Sequence, residues 1–122
     1  MSGPIPAPVR NRPDVWRFGF SGALSVKAGA SKAHNDTGAS LNMSLVRVSV
    51  GTAPTGSPLV VDVLKDGVSI LNAPISLPAG SVTMTAVPAV VALETGAGLT
   101  VSVTAIGAAV AGADLIVSVV VN

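Results

Sequence analysis

The fold class is decided by residues 59 to 71, which read Leu-Val-Val-Asp-Val-Leu-Lys-Asp-Gly-Val-Ser-Ile-Leu. Two Val-rich runs flank the dipeptide Asp66-Gly67, and an Asp-Gly pair between apolar runs is a strong signal of a tight β-hairpin turn. We therefore predict antiparallel strands at Leu59–Lys65 and 68–71 that are joined by this turn.

The same period of two continues on both sides of the hairpin. Trp16, Phe18 and Phe20 alternate with Arg17 and Gly19, which places every aromatic residue of the chain on one predicted core face. Turn residues recur about every eight to twelve positions, a spacing typical of sandwiches and barrels. The sequence thus predicts an all-β antiparallel sandwich of about eight to ten strands over residues 15–122. Later strands are predicted at 75–77, 82–87, 90–93, 99–106 and 114–121.

The alternation changes phase between residues 41 and 50. Leu41, Met43 and Leu45 occupy odd positions, whereas Val46 and Val48 occupy even ones. A shift of one residue would turn the core side chains towards solvent unless an extra residue is accommodated in the strand. We predict a bulge or sharp bend near Leu45 and Val46.

Residues 99–121 contain a single charge and are long enough to cross a bilayer of about 30 Å. The residues alternate Val with Ser or Thr, which is the period of a strand, and Asp114 would lie near the membrane centre at a cost of a few kcal/mol. We therefore expect no membrane contact. We predict a hairpin, with a last strand that is buried on both faces and lies at the sheet centre or in a subunit contact.

Residues 1–14 differ in composition from the rest of the chain. Prolines at positions 4, 6, 8 and 13 block helix and sheet and favour an extended polyproline II arm, which could span on the order of 40 Å. The arm carries Ile5, Val9, Arg10 and Arg12, which we predict as its partner-binding residues. A disordered tail is the alternative interpretation.

Charge is distributed unevenly along the chain. Residues 1–32 carry five basic and one acidic side chain, a formal charge of +4, and residues 33–122 carry two basic and five acidic, a formal charge of −3. The net charge of +1 therefore conceals two different parts, a basic end that could bind an acidic partner and an acidic body. Only 11% of residues are charged, so a surface of ordinary charge density is hard to build and burial against other subunits is expected.

The chain offers little catalytic chemistry. It has no cysteine, which excludes disulfides and thiolate zinc sites. We interpret His34-Asn35-Asp36 as a polar turn, because adjacent residues rarely form a catalytic device. The loop from Gly51 to Gly56 lacks the Lys of a phosphate loop. We expect no cofactor, no metal and no nucleic-acid partner, and we expect that the chain is not an enzyme.

Residues 46–70 resemble a pattern found in structural proteins of tailed bacteriophages. In that pattern a strand ends in a Thr-Ala-Pro-Thr-Gly loop, here residues 52–56, and leads into a hairpin with Val-Asp-Val, Lys and Asp-Gly, here residues 61–67. A Phe-x-x-x-Gly-x-Leu strand that often precedes it matches residues 18–24. The resemblance covers about residues 16 to 72 and implies a jelly-roll-like sandwich that trimerises, with no catalytic residues.

This resemblance leads to a functional hypothesis. The chain is expected to be a capsid decoration or head-fibre protein that binds the major capsid protein on the outer surface of the virion as a homotrimer. Residues 1–14 would clamp the capsid lattice. A minor tail or host-binding module of the virion is an alternative, and a carbohydrate-binding domain is a more distant one.

Overall fold

A computed structural model describes residues 14–122, which form ten β-strands. Within this range there is no helix long and apolar enough to cross a membrane. The strands are β1 (Asp14–Ala23), β2 (Lys27–His34), β3 (Leu41–Ser49), β4 (Leu59–Lys65), β5 (Val68–Ser69), β6 (Ile75–Leu77), β7 (Thr83–Ala86), β8 (Ala92–Leu93), β9 (Gly98–Ala105) and β10 (Ala113–Val121).

The strands form two antiparallel five-stranded sheets. One sheet has the order β1-β10-β3-β7, and β8 pairs with the first residues of β3 while β7 pairs with its last. The other sheet has the order β2-β9-β4-β5, and β6 also pairs with β4. Strands β1 to β4 alternate between the sheets, β5 and β6 stay in the sheet of β4, and β7 and β8 return to that of β3. Strand β9 then lies between β2 and β4, and β10 lies between β1 and β3. This is the strand order of a jelly roll, and the predicted all-β antiparallel sandwich of eight to ten strands is confirmed.

The core lies between the two sheets and consists of the inward side chains of both. On β1, Trp16, Phe18 and Phe20 stand opposite inward residues of β10, as predicted from their alternation. Phe18 is buried, and Trp16 and Phe20 pack against the core while remaining partly exposed. All three aromatic residues of the chain therefore serve the packing of this one strand.

The predicted irregularity in β3 is present at Ser44. Val121 and Val120 of β10 are consecutive, but they pair with Met43 and Leu45, so Ser44 is an extra residue in the ladder. Because of this bulge, Met43 and Val46 both face the core despite their different phase. The Asp66-Gly67 turn is also confirmed, since Lys65 pairs with Val68 and both turn residues have positive φ.

The prediction for residues 99–121 is wrong in two respects. β9 and β10 do not form a hairpin, because they lie in different sheets and residues 106–112 cross between them. The last strand is central, as predicted, but it is not buried on both faces. Leu115, Val117 and Val119 are buried, whereas Ile116 is 44% exposed on the outer face. The physical reason is that each sheet covers only one face of the other.

Strand β2 has no counterpart among the predicted strands. Its residues are mostly small, and its pairing with β9 shifts twice, so that Lys27, Ala30 and Ala33 stand opposite every second residue of β9. Gly29 and Ser31 have positive φ at these irregularities. The sequence of this strand therefore shows no period of two. Its place in the sheet follows from its pairing with β9.

The sandwich has two different ends. The connections β1–β2, β3–β4, β6–β7 and β9–β10 meet at one end. At the opposite end lie the connections β2–β3, β4–β5 and β8–β9, together with Asp14 and Asn122. This arrangement positions the surfaces considered next.

Candidate interaction surfaces

The residues predicted to bind a partner, Ile5, Val9, Arg10 and Arg12, lie outside the described residues. The structure does fix the place where residues 1–13 join the sandwich. Asp14, the last residue assigned to the arm, is the first residue of β1 and pairs with Val121. The basic N-terminal segment therefore joins the body at the end that holds the β2–β3, β4–β5 and β8–β9 connections.

The polar turn at residues 34–36 is organised by Asn35. The Asn35 side chain is fully buried, and its Nδ2 donates to the carbonyl oxygens of Ala39 and Leu93, both at 2.8 Å. Its Oδ1 accepts from the Thr37 hydroxyl at 2.7 Å. His34 and Asp36 are exposed. The interpretation of this cluster as a structural turn is confirmed for Asn35, whose polar groups are used in folding.

The glycine-containing loop from Gly51 to Gly56 is likewise used in folding. The backbone N–H groups of Gly51 and Thr52 donate to the carbonyl of Ala113, and the N–H of Thr55 donates to the carbonyl of Val110. These amides point at protein acceptors, so they are not available as a phosphate cradle. Within residues 14–122, no three His, Asp or Glu side chains are close enough to hold a metal ion.

A shallow depression of about 230 Å³ lies where the end of β1 meets the start of β10. Its lining includes Phe20, Asp114 and Ile116. The Asp114 carboxylate beside it accepts a hydrogen bond from the N–H of Gly22 at 2.8 Å. An open site of this kind, with one carboxylate that is already engaged, does not have the enclosure of a small-molecule pocket.

The most distinctive surface is the end formed by four connections. We call it the loop cap and define it as residues 24–26, 50–58, 78–82 and 106–112. Backbone hydrogen bonds join all four segments: Leu24 N donates to Gly112 O at 2.9 Å, Gly80 N to Pro54 O at 2.8 Å, and Ala109 N to Thr55 O at 3.0 Å. The cap is therefore one bonded unit rather than four separate loops.

Two glycines permit the loops of the cap to approach so closely. A Cβ on Gly107 would overlap the carbonyl oxygen of Val110 and lie 2.8 Å and 2.9 Å from backbone atoms of Thr55. A Cβ on Gly56 would lie 2.8 Å from the backbone nitrogen of Ala109. Side chains are excluded at both positions because backbone packs directly against backbone.

The loop cap contains no charged residue and exposes apolar side chains. Val26, Val82 and Val110 are 62%, 52% and 44% exposed. Charge appears only at its margin, where the Lys27 ammonium lies 5.7 Å from the centre of the Phe20 ring and Asp114 caps the Gly22 amide. An apolar centre with a charged margin is the usual composition of a protein–protein interface.

The opposite end of the sandwich is charged. Its connections carry Asp36, Asp66 and Glu94, and Lys65 ends β4 there. The Lys65 ammonium donates to the Glu94 carboxylate at 2.8 Å, and this hydrogen bond lowers the pKa of Glu94 below its ordinary value of 4.5. The Glu94 side chain is 60% exposed, so the pair is a surface ion pair of modest strength.

Two arginines lie close together on the outer face of the sheet that contains β1, and sequence reasoning did not identify this basic surface. Arg17 of β1 and Arg47 of β3 both stand opposite Ser118 of β10, one on either side. The Arg47 guanidinium donates to the Thr83 hydroxyl at 3.1 Å. The signal available in the sequence was that both arginines occupy outward positions of predicted strands, but their meeting depends on the strand order.

Comparisons with known proteins identify no family. No protein-family model matches the chain, and no curated protein matches it. A solved structure described as that of infectious bursal disease virus, Gx strain, is similar over 96% of this chain and 36% of its own chain, with 17% identity and a TM-score of 0.39. The chain thus spans about a third of the length of that protein. A likeness this distant identifies neither a family nor an activity, so the resemblance to tailed-phage proteins stays a prediction.

Proposed function

We propose that this chain is a non-enzymatic structural protein of a virion, of the capsid decoration or head-fibre type. In this proposal it binds the major capsid protein on the outer surface of a tailed-phage capsid as a homotrimer. The observation that carries the proposal is the difference between the two ends of the sandwich. A basic segment joins one end of the sandwich at Asp14, and a charge-free loop cap forms the other end.

The attaching part of the molecule is proposed to be residues 1–13. Arg10 and Arg12 are the charged side chains of this segment, and Ile5 and Val9 are apolar groups that a partner could bury. Arginine forms bidentate hydrogen bonds with carboxylates, so the partner surface on the shell is expected to be acidic. The sandwich, residues 14–122, carries five basic and six acidic side chains, a formal charge of −1, so the positive net charge of the chain comes from residues 1–13.

The mechanical role follows from the proposed assembly. A trimer that places three arms on neighbouring capsomers would add buried interface across their seams, and a standard protein contact buries about 1,600 Å². Shell subunits joined in this way would resist outward pressure from packaged DNA.

The proposal of a carbohydrate-binding domain is less well supported. Sugar recognition by stacking needs exposed aromatic rings, and the three aromatic residues of this chain lie on the core-facing side of β1. A minor tail or host-binding module of the virion would use the same arm and body. It would differ from a head protein in binding to the tail and not to the capsid.

The proposal is tested by co-sedimentation with DNA-filled capsids that lack this protein and come from the genome that encodes it. The intact chain is expected to pellet with the capsids, and residues 14–122 alone are expected to stay in the supernatant. The double variant Arg10→Glu, Arg12→Glu should also stay in solution. The matched control Arg47→Glu reverses a charge on the body and should still pellet.

Equal binding by residues 14–122 would contradict the arm as the attachment site. Binding of the intact chain to isolated tails and not to capsids would move the protein to the tail. Either result can be attributed to binding rather than to misfolding, because the variants keep the whole sandwich and thermal unfolding checks that they fold.

A further inference from the structure

We infer that the loop cap is the surface on which copies of this chain meet. The inference rests on the self-association included in the proposed function and names the part of the molecule that carries it. The partner is a second copy of the chain, and its own loop cap is the surface that it presents.

The first argument is that the cap is built as a fixed surface. Its backbone N–H groups at Leu24, Thr55, Gly80 and Ala109 already donate to carbonyl oxygens of neighbouring loops. A partner need not satisfy these groups, and the loops need not be ordered on association. Both conditions reduce the entropy and desolvation cost of forming an interface.

The second argument concerns charge. A partner that placed charged side chains against the cap would bury them without an opposite charge, which is strongly unfavourable. Charges lie on the outer faces of both sheets, at Arg17 and Arg47 on one and Asp62 on the other, and Lys27 and Lys32 lie along β2. Residues 67–77 and 83–93 are also uncharged, but they belong to β5–β8 and their connections and lie outside the bonded loop framework of the cap. A loop cap from another copy brings 24 uncharged residues of the same kind, so the cap is complementary to itself.

The third argument is geometric. Strand β1 has ten residues and runs from Asp14 at the charged end to Ala23 beside the cap, a rise of about 33 Å. If the caps of several copies meet at one axis, the points at which residues 1–13 join the sandwich lie about this length away from the axis. The arms would then diverge from the axis, as the bridging of neighbouring capsomers requires.

The inference is tested by placing a charge in the cap. Val110→Asp and Val26→Asp should each raise the concentration needed for half-association by about a hundredfold or more, because an interface centre does not tolerate an unpaired carboxylate. The matched control is Val68→Asp at the opposite end, where the valine is 69% exposed. Association is measured by sedimentation equilibrium of the intact chain, and thermal unfolding checks that each variant folds.

A second measurement uses the absence of cysteine from the chain. Val110→Cys and Val68→Cys each introduce one thiol, which a short bismaleimide can join only when two copies bring their thiols together. The Cys variant at 110 should give covalent dimers at dilute protein concentration, and the one at 68 should stay monomeric on a denaturing gel. This readout stands even if an Asp variant fails to fold.

The outcomes separate the inference from the proposed function. If the intact chain is a monomer at tens of micromolar concentrations, both the homotrimer and the cap interface are wrong. If it is a trimer that Val110→Asp leaves intact and that crosslinks from position 68, the trimer stands and the cap is not its interface. A dimer that Val110→Asp dissociates would support the cap and overturn the threefold assembly.

Discussion

Thr55 and Val110 belong to different connections and form an antiparallel bridge at the loop cap. The N–H of Thr55 donates to the carbonyl of Val110 at 2.9 Å, and the N–H of Val110 donates to the Thr55 hydroxyl at 3.1 Å. The bridge fixes the crossing from β9 to β10 against the crossing from β3 to β4. It therefore ties the two sheets together at their charge-free end.

Gly107 makes this bridge possible, and its replacement should weaken the whole sandwich. Gly107→Ala would place a Cβ against the carbonyl of Val110 and the backbone of Thr55, and the forced shift should cost about 2–3 kcal/mol of unfolding free energy. Gly19→Ala is the matched control, because a Cβ at Gly19 meets nothing within 4 Å. Urea denaturation measures both. A Gly107→Ala variant as stable as the control would show that the loops are not locked together.

Asn35 should matter for stability and not for any reaction. Asn35→Ala removes a fully buried amide, leaves the buried carbonyl of Leu93 without its donor and breaks the part-buried bond to Ala39, which should cost about 2–3 kcal/mol. The neighbouring Asp36→Ala removes an exposed side chain and should stay within about 0.5 kcal/mol of the original chain. Chemical denaturation compares the two variants. Equal stabilities would mean that the buried amide contributes nothing to the turn.

The bulge in β3 predicts opposite results for two single-residue deletions. Removing Ser44 restores a regular ladder in which Met43 and Leu45 still pair with Val121 and Val120, so the cost should be small. Removing Arg47 joins two fully buried valines and forces one of them out of the core, which should cost at least about 3 kcal/mol. Thermal unfolding of both deletion variants shows which one is less stable. If deletion of Ser44 were the more destabilising, the extra residue of β3 would lie elsewhere in the strand.

The Lys65–Glu94 pair predicts a pH-dependent contribution to stability. Because the hydrogen bond from Lys65 lowers the pKa of Glu94 in the folded chain, its stabilising effect is present above the ordinary value of 4.5 and is lost as pH falls through the lower folded-state value. The original chain should be slightly more stable than Glu94→Gln at pH 7, and the difference should vanish in acid. High salt should also reduce it. A difference that grows towards acid pH would contradict this assignment.

The sequence was informative wherever alternation or turn chemistry was local. The Asp66-Gly67 hairpin, the aromatic face of β1 and the phase change at Ser44 are all visible in a few residues. Strand β2 was not predictable, because its small side chains and two irregularities remove the period of two. The false hairpin over residues 99–121 arose because two adjacent strands do not reveal whether they pair or belong to opposite sheets.

The loop cap shows a different limit of sequence reasoning. The absence of charge from its four segments is plain in the sequence, but 19 or more residues lie between one segment and the next. Only the alternation of strands between the sheets brings them to one end, where hydrogen bonds such as that between Leu24 and Gly112 join them. The partner-binding residues Ile5, Val9, Arg10 and Arg12 stay a prediction from sequence.

The central claim is that this protein is a component of the virion, and the protein content of purified particles tests it most directly. Mass spectrometry of gradient-purified, DNA-filled particles from the encoding genome should detect the chain. It should be missing from particles made when residues 1–13 are deleted from the gene, although the shortened protein is still produced and folded. Particles that lack the chain in both cases would contradict the account.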